Sequence, residues 1–170
     1  MHLSYREWWT LVHGMILGTT FLLAFSGGLA GLYSLRTELV TAEGLQERVR
    51  RIKVGTTVMA ITAWLTVITG SWIVYPWYRA KSPDSAKSIL LASPNTADWH
   101  NFGMEWKEHV AWIAPILATT AAALTVYYGA ALARNRYLRN LVIWFFIGAF
   151  VTAGAAGLLG ALITKSAPVH

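Results

Sequence analysis

The chain contains no cysteine. That absence removes disulfides, thiolate-bound metals, iron–sulfur clusters and covalent attachment of a c-type haem. Charge is also scarce: 13% of the 170 residues are Asp, Glu, Lys or Arg, about half of the ~25% usual in soluble domains. There is no Walker loop, no dinucleotide fingerprint and no serine nucleophile elbow, so nucleotide binding and serine-hydrolase chemistry lack a motif. No carboxylate interrupts the long apolar runs, which counts against a proton-coupled transporter. Internal repeats and low-complexity tracts are missing too.

What is present is apolar sequence, 55% of the chain. Four runs, at about 8–35, 54–78, 110–133 and 141–164, reach the ~20 residues a helix needs to cross a hydrocarbon core. The expected architecture is therefore all-α: one membrane domain over 1–170, an integral four-helix bundle with a partly helical loop at 79–108. Ser4 and Glu7 form an S-x-x-E capping box that starts the first helix. That first run reads as a span and not as a cleavable signal, because it has no basic lead and no compact cleavage site. The formal charge of +6 reports basic loops beside a membrane and not a nucleic-acid surface.

Orientation follows from those loops. Arg36, Arg48, Arg50, Arg51 and Lys53 lie between the first two runs, and Arg134, Arg136 and Arg139 follow the third. They are more than half of the 14 basic residues and sit close to helix ends. By the positive-inside rule, loops 36–53 and 134–140 are expected to face the cytoplasm, with both termini and loop 79–108 outside an inner membrane. Within the long loop, Ser82-Pro83-Asp84 predicts a helix start and a short helix over 84–92. Ser93-Pro94-Asn95 is expected to break it, with a further start near Thr96 or Asp98 leading into the third span. Pro115 should bend that span.

Polar and aromatic residues are then distributed unevenly. His2, His13, His100, His109 and His170 all fall on the expected outer half, as do seven of the nine tryptophans. An interfacial aromatic belt accounts for many of the tryptophans. It leaves the histidines unexplained, and ionisable side chains inside a membrane point to function. The densest stretch is Trp99–Ile113, WHNFGMEWKEHVAWI.

His13 and Arg36 are separated by almost the same number of residues as His109 and Arg134. At ~1.5 Å per residue the two imidazoles agree in depth to within ~3 Å, on helices that run in the same direction. That spacing permits, without demanding, two axial nitrogens on one haem iron between the helices. Gly14, Gly18, Gly27, Gly28 and Gly31 thin the first helix, and Ala149, Ala153, Gly154, Gly157 and Gly160 thin the fourth. Small residues serve close helix packing or make room for a macrocycle, and both uses are open at different depths. Arg6, Arg79, Lys107 and Lys165 lie near the aqueous boundary, where they can meet haem propionates or simply snorkel.

Glu105 and His109 share a helical face, and His100, Met104 and Glu108 form a second stripe. Imidazoles with carboxylates suit zinc, iron or copper, but a di-iron bundle would repeat its Glu-x-x-His motif on another helix, and none does. Glu105 is better placed as a hydrogen-bond acceptor that raises the basicity of His109 or His13. Met104 is an alternative axial ligand, and Thr62, Thr66 and Thr69 share a face but can bond back to their own helix.

On His13 and His109 in the parallel first and third helices, with Gly14 and Gly18 beside the first, the chain resembles the four-helix membrane b-type cytochromes. It departs from their common di-haem form, which needs four histidines at two depths. The resemblance implies one haem b, a quinol or periplasmic redox partner, a possible quinone site and a place in a larger respiratory complex. An electron-transfer subunit is expected in preference to a stand-alone enzyme. Two other readings stay open: a pigment-binding accessory subunit with His13 or His109 on a chlorin, and a structural or metal-handling subunit without such a cofactor.

Overall fold

The computed structural model describes residues 2–39 and 41–168, so His170 lies outside it. Four long helices run over Tyr5–Ser34, Ala42–Tyr78, Pro94–Tyr128 and Arg136–Ser166, each apolar enough to cross a bilayer. There is no strand among the described residues. The chain is an all-helical integral membrane protein, as the hydropathy pattern predicts.

The helices outrun the apolar runs. The second begins at Ala42, capped by the Thr41 hydroxyl on Gly44 N–H, so its first turns are polar and precede the apolar run. The third begins at Pro94, ahead of the expected start at Thr96 or Asp98. There Ser93 caps the helix and the fixed φ of Pro94 suits its first position, so the dipeptide expected to break a helix also starts one. Ser82 closes only a local turn onto Asp84 N–H, and Ser85 is the cap of the short helix Ala86–Leu91. The third helix relaxes into a turn at Ala111 and Trp112. Pro115 removes the amide that would have bonded Ala111.

Each span packs against the next in sequence, while the fourth returns to the first over a shorter stretch. The main core lies toward the arginine-rich end, where Leu32, Ile52, Met59, Val142 and Phe146 are almost wholly buried. Alanines 118 and 121 face them with no exposed surface and let the third span come close. Phe146 lies against the bare Cα of Gly28: a Cβ there would stand 2.7 Å from the ring. Phe25 stacks on Phe150 with centroids 4.1 Å apart.

The basic residues of this end also tie the loops down. Arg48 donates to the Ser34 carbonyl at 2.7 Å, and buried Arg139 donates to the carbonyls of Leu132 and Ala133. Cations at helix carboxyl ends satisfy carbonyls that have no partner in the helix.

A second, smaller core sits at the histidine-rich end, with Tyr78, Leu90, Met104, Ile163 and Ala167. Between the two cores the bundle is loose. No residue in 11–20, 64–77 or 105–113 is buried. That band holds His13, Lys107 and His109.

Candidate functional site

Three spans change winding at this level. Val12–Ile16, Gly70–Val74 and Trp99–Met104 are π-helical, each admitting a wider turn. Such turns arise where a side chain or ligand needs room, often at functional sites.

His13 sits in the first of them and turns toward the second span. Its Nδ1 lies 2.9 Å from the hydroxyl of Thr69. Gly70 admits the ring: a Cβ there would stand 3.0 Å from His13 Cε1. The Thr69 hydroxyl already gives its hydrogen to the Leu65 carbonyl at 2.7 Å. It can therefore only accept from the imidazole, so Nδ1 carries the proton and Nε2 keeps a lone pair.

His109 reaches the same tautomer by another route. Its Nδ1 is 2.6 Å from the Glu105 carbonyl one turn back, and a carbonyl can only accept. Nε2 is again bare, but this ring is exposed on the outside of the bundle. The two histidines thus share a tautomer while facing different surroundings. His13 lies against the second span and His109 looks outward.

Glu105 meets His109 through its backbone only, and its carboxylate goes to Arg79. Arg79 Nη2 donates to Glu105 at 2.5 Å and to both oxygens of Glu108 at 3.1 Å. Tyr75 donates its hydroxyl to Glu108, and the guanidinium carbon lies 5.1 Å from the Tyr75 ring centroid. Burial works against the charge on Arg79, and the two carboxylates more than offset it, so its pKa stands above the usual value. The network pins the second span to the third.

His100 is buried, with Nδ1 2.9 Å from the Tyr78 hydroxyl, and Met104 fills the small core beside it. Among the described residues no three of His, Cys, Asp or Glu gather as a metal site. Two axial imidazoles need no such group. Arg6, Lys165 and His2 are exposed.

Lys107 behaves differently from the other cations. It reaches the fourth span, where a Cβ on Gly160 would stand 2.8 Å from its ammonium, and Glu108 is within electrostatic reach of it. It lies within electrostatic reach of His13 and has no hydrogen-bond or ion-pair partner among the described residues. Two buried donors at this end, Trp9 Nε1 and Arg79 Nε, also find no hydrogen-bond partner among the described residues. Sequence reading found Lys107, Arg79 and Gly160, but gave Tyr75 and Tyr78 no part in a site and missed the recess at Gly70. A glycine one position after the Thr62–Thr66–Thr69 face was the available signal for that recess.

A scan against protein-family models, a search of curated proteins and a search of solved structures each return no match. The site has to be read from its own chemistry.

Proposed function

We propose that this chain is a membrane-embedded electron-transfer subunit carrying one b-type haem near the histidine-rich end, with His13 and His109 as the candidate axial ligands. One observation supports the reading above the rest: both imidazoles donate through Nδ1 and leave Nε2 free, a form that can ligate iron. His13 and the donors near it suit such a group, whereas His109 faces out of the bundle and would have to turn inward to share it. The loosely packed band offers width. Lys107 and the unpaired Trp9 and Arg79 donors supply hydrogen bonds for propionate oxygens, and exposed Arg6 adds a cation at the boundary. Bound haem supplies one-electron chemistry. The chain itself fixes the imidazole tautomers and keeps its cations close by.

In this proposal the protein lies in an inner membrane with both termini outside. Its electrons would pass between a quinol and an outer partner, or through neighbouring subunits of a respiratory complex. The exposed ring of His109 favours a second reading: an axial ligand to a chlorin or haem held at the boundary with a neighbouring subunit.

The absorption spectrum of protein purified from haem-replete cells tests both. A reducible Soret band that is lost in His13→Ala supports the first reading. Loss in His109→Ala alone, or far-red chlorin bands, supports the second. A colourless protein overturns both and leaves a structural accessory subunit.

A further inference from the structure

At the opposite end of the bundle lies a cavity of ≈ 500 Å³, within the ~300–1,000 Å³ typical of small-ligand pockets. It opens between the end of the first span and the start of the fourth. Its polar rim carries three guanidiniums, Arg36, Arg136 and Arg139, against one carboxylate, Glu38. Arg139 feels the other two as like charges and Glu38 as the opposing one.

Like charges crowded at a membrane boundary are costly unless something anionic joins them. Glu38 supplies one negative charge against three positive ones, which leaves the rim with an excess of positive charge. Arg139 spends its hydrogen bonds on the carbonyls of Leu132 and Ala133, and the Arg36 and Arg136 side chains have no partner among the described residues. Below the rim the lining turns apolar along one helix face, through Ile143, Trp144 and Ile147. Trp144 is 70% exposed and forms part of that wall.

We propose that this cavity is a binding site for an anionic phospholipid. The phosphate sits among Arg36, Arg136 and Arg139, and an acyl chain lies on Ile143, Trp144 and Ile147. Charge complementarity selects the headgroup, since basic residues at a membrane surface attract anionic lipids. The apolar wall continuing from the rim selects a lipid over a free phosphate. The site does not depend on the haem reading.

The test is native mass spectrometry of the full chain released from phosphatidylcholine nanodiscs that contain a minor share of phosphatidylglycerol. The wild type should retain phosphatidylglycerol in preference to phosphatidylcholine. The double variant Arg36→Gln/Arg136→Gln should retain about tenfold less. Arg50→Gln/Arg51→Gln, which removes equal charge from the exposed helix face beside Glu47, should retain as much as wild type. Arg36 and Arg136 are exposed and their side chains hold no part of the fold, and circular dichroism confirms that both double variants remain helical. Equal loss in the two double variants overturns the proposal, because it assigns retention to basic surface in general. No preference for phosphatidylglycerol also overturns it. So does displacement of the lipid by inorganic phosphate, which would make the site a phosphate site.

Discussion

His13 and Thr69 meet in one direction only. The Thr69 hydroxyl bonds back to Leu65 on its own helix, and the 2.9 Å contact therefore runs from His13 Nδ1–H to the threonine oxygen. A hydroxyl that satisfies itself within a membrane helix is ordinarily filler. Here it sets which nitrogen of a neighbouring imidazole is bare.

Thr69→Val keeps the shape and removes the acceptor. His13 then loses a hydrogen bond worth about 1 kcal/mol, which leaves only the Thr66 backbone to hold its tautomer. Nitrogen NMR of histidine-labelled protein should show His13 as an Nδ1–H species in wild type and as a mixture in Thr69→Val. An unchanged spectrum would mean that another acceptor holds the ring.

Arg79 is the only cation bonded to Glu105 and Glu108 among the described residues. Arg79→Met leaves two carboxylates side by side on the third span with only Tyr75 between them and the second. Glu105 is 42% exposed and Glu108 19%, so solvent screens the first and the loss falls mainly on the second. A decrease of about 1–2 kcal/mol is expected, seen as a lower midpoint in thermal unfolding in detergent. Arg79→Met/Glu108→Leu should recover part of it, since the less screened carboxylate is gone. A midpoint equal to wild type in Arg79→Met would show that the network does not join the two spans.

At the other end, Arg139 and Arg50 separate a working guanidinium from an idle one. Arg139 is 8% exposed and holds two carbonyls, and Arg139→Met should cost about 1–3 kcal/mol through those orphaned acceptors. Arg50 is 76% exposed in its pair with Glu47, and Arg50→Met should leave thermal unfolding unchanged within about 0.5 kcal/mol. Comparable losses in the two would refute the capping role.

Much of this was legible in the sequence, because span number and depth depend only on hydropathy and on rise per residue. Helix limits were less so: the polar residues Glu43 to Lys53 continue the second helix, yet a window that counts apolar residues stops at Val54. Azimuth was the hardest. Faces drawn at a steady 3.6 residues per turn assume no insertions, and a π turn rotates everything beyond it by about 100°. With such turns at 12–16, 70–74 and 99–104, matched depths for His13 and His109 did not fix matched directions. The destination of the Glu105 carboxylate was hidden as well, because Arg79 is distant in sequence and meets it only when the second and third spans pack.

The glycines separate packing from room for a guest. Gly28 is needed for packing: its Cβ position is 2.7 Å from Phe146, which is wholly buried and has nowhere to move. Gly28→Leu should therefore destabilise the bundle by about 1–3 kcal/mol through overpacking. Beyond their chain neighbours and helix backbone, Gly14 and Gly18 have no atom among the described residues within 4 Å of theirs, and Gly14→Ala should raise helix stability by up to about 1 kcal/mol. Gly14→Leu is the informative variant. If the thin face of the first helix accommodates a macrocycle beside His13, this substitution lowers haem content while thermal unfolding of the haem-free protein is unchanged. If that face meets only lipid, haem content stays at the wild-type level, and the glycines near His13 have no part in holding a cofactor.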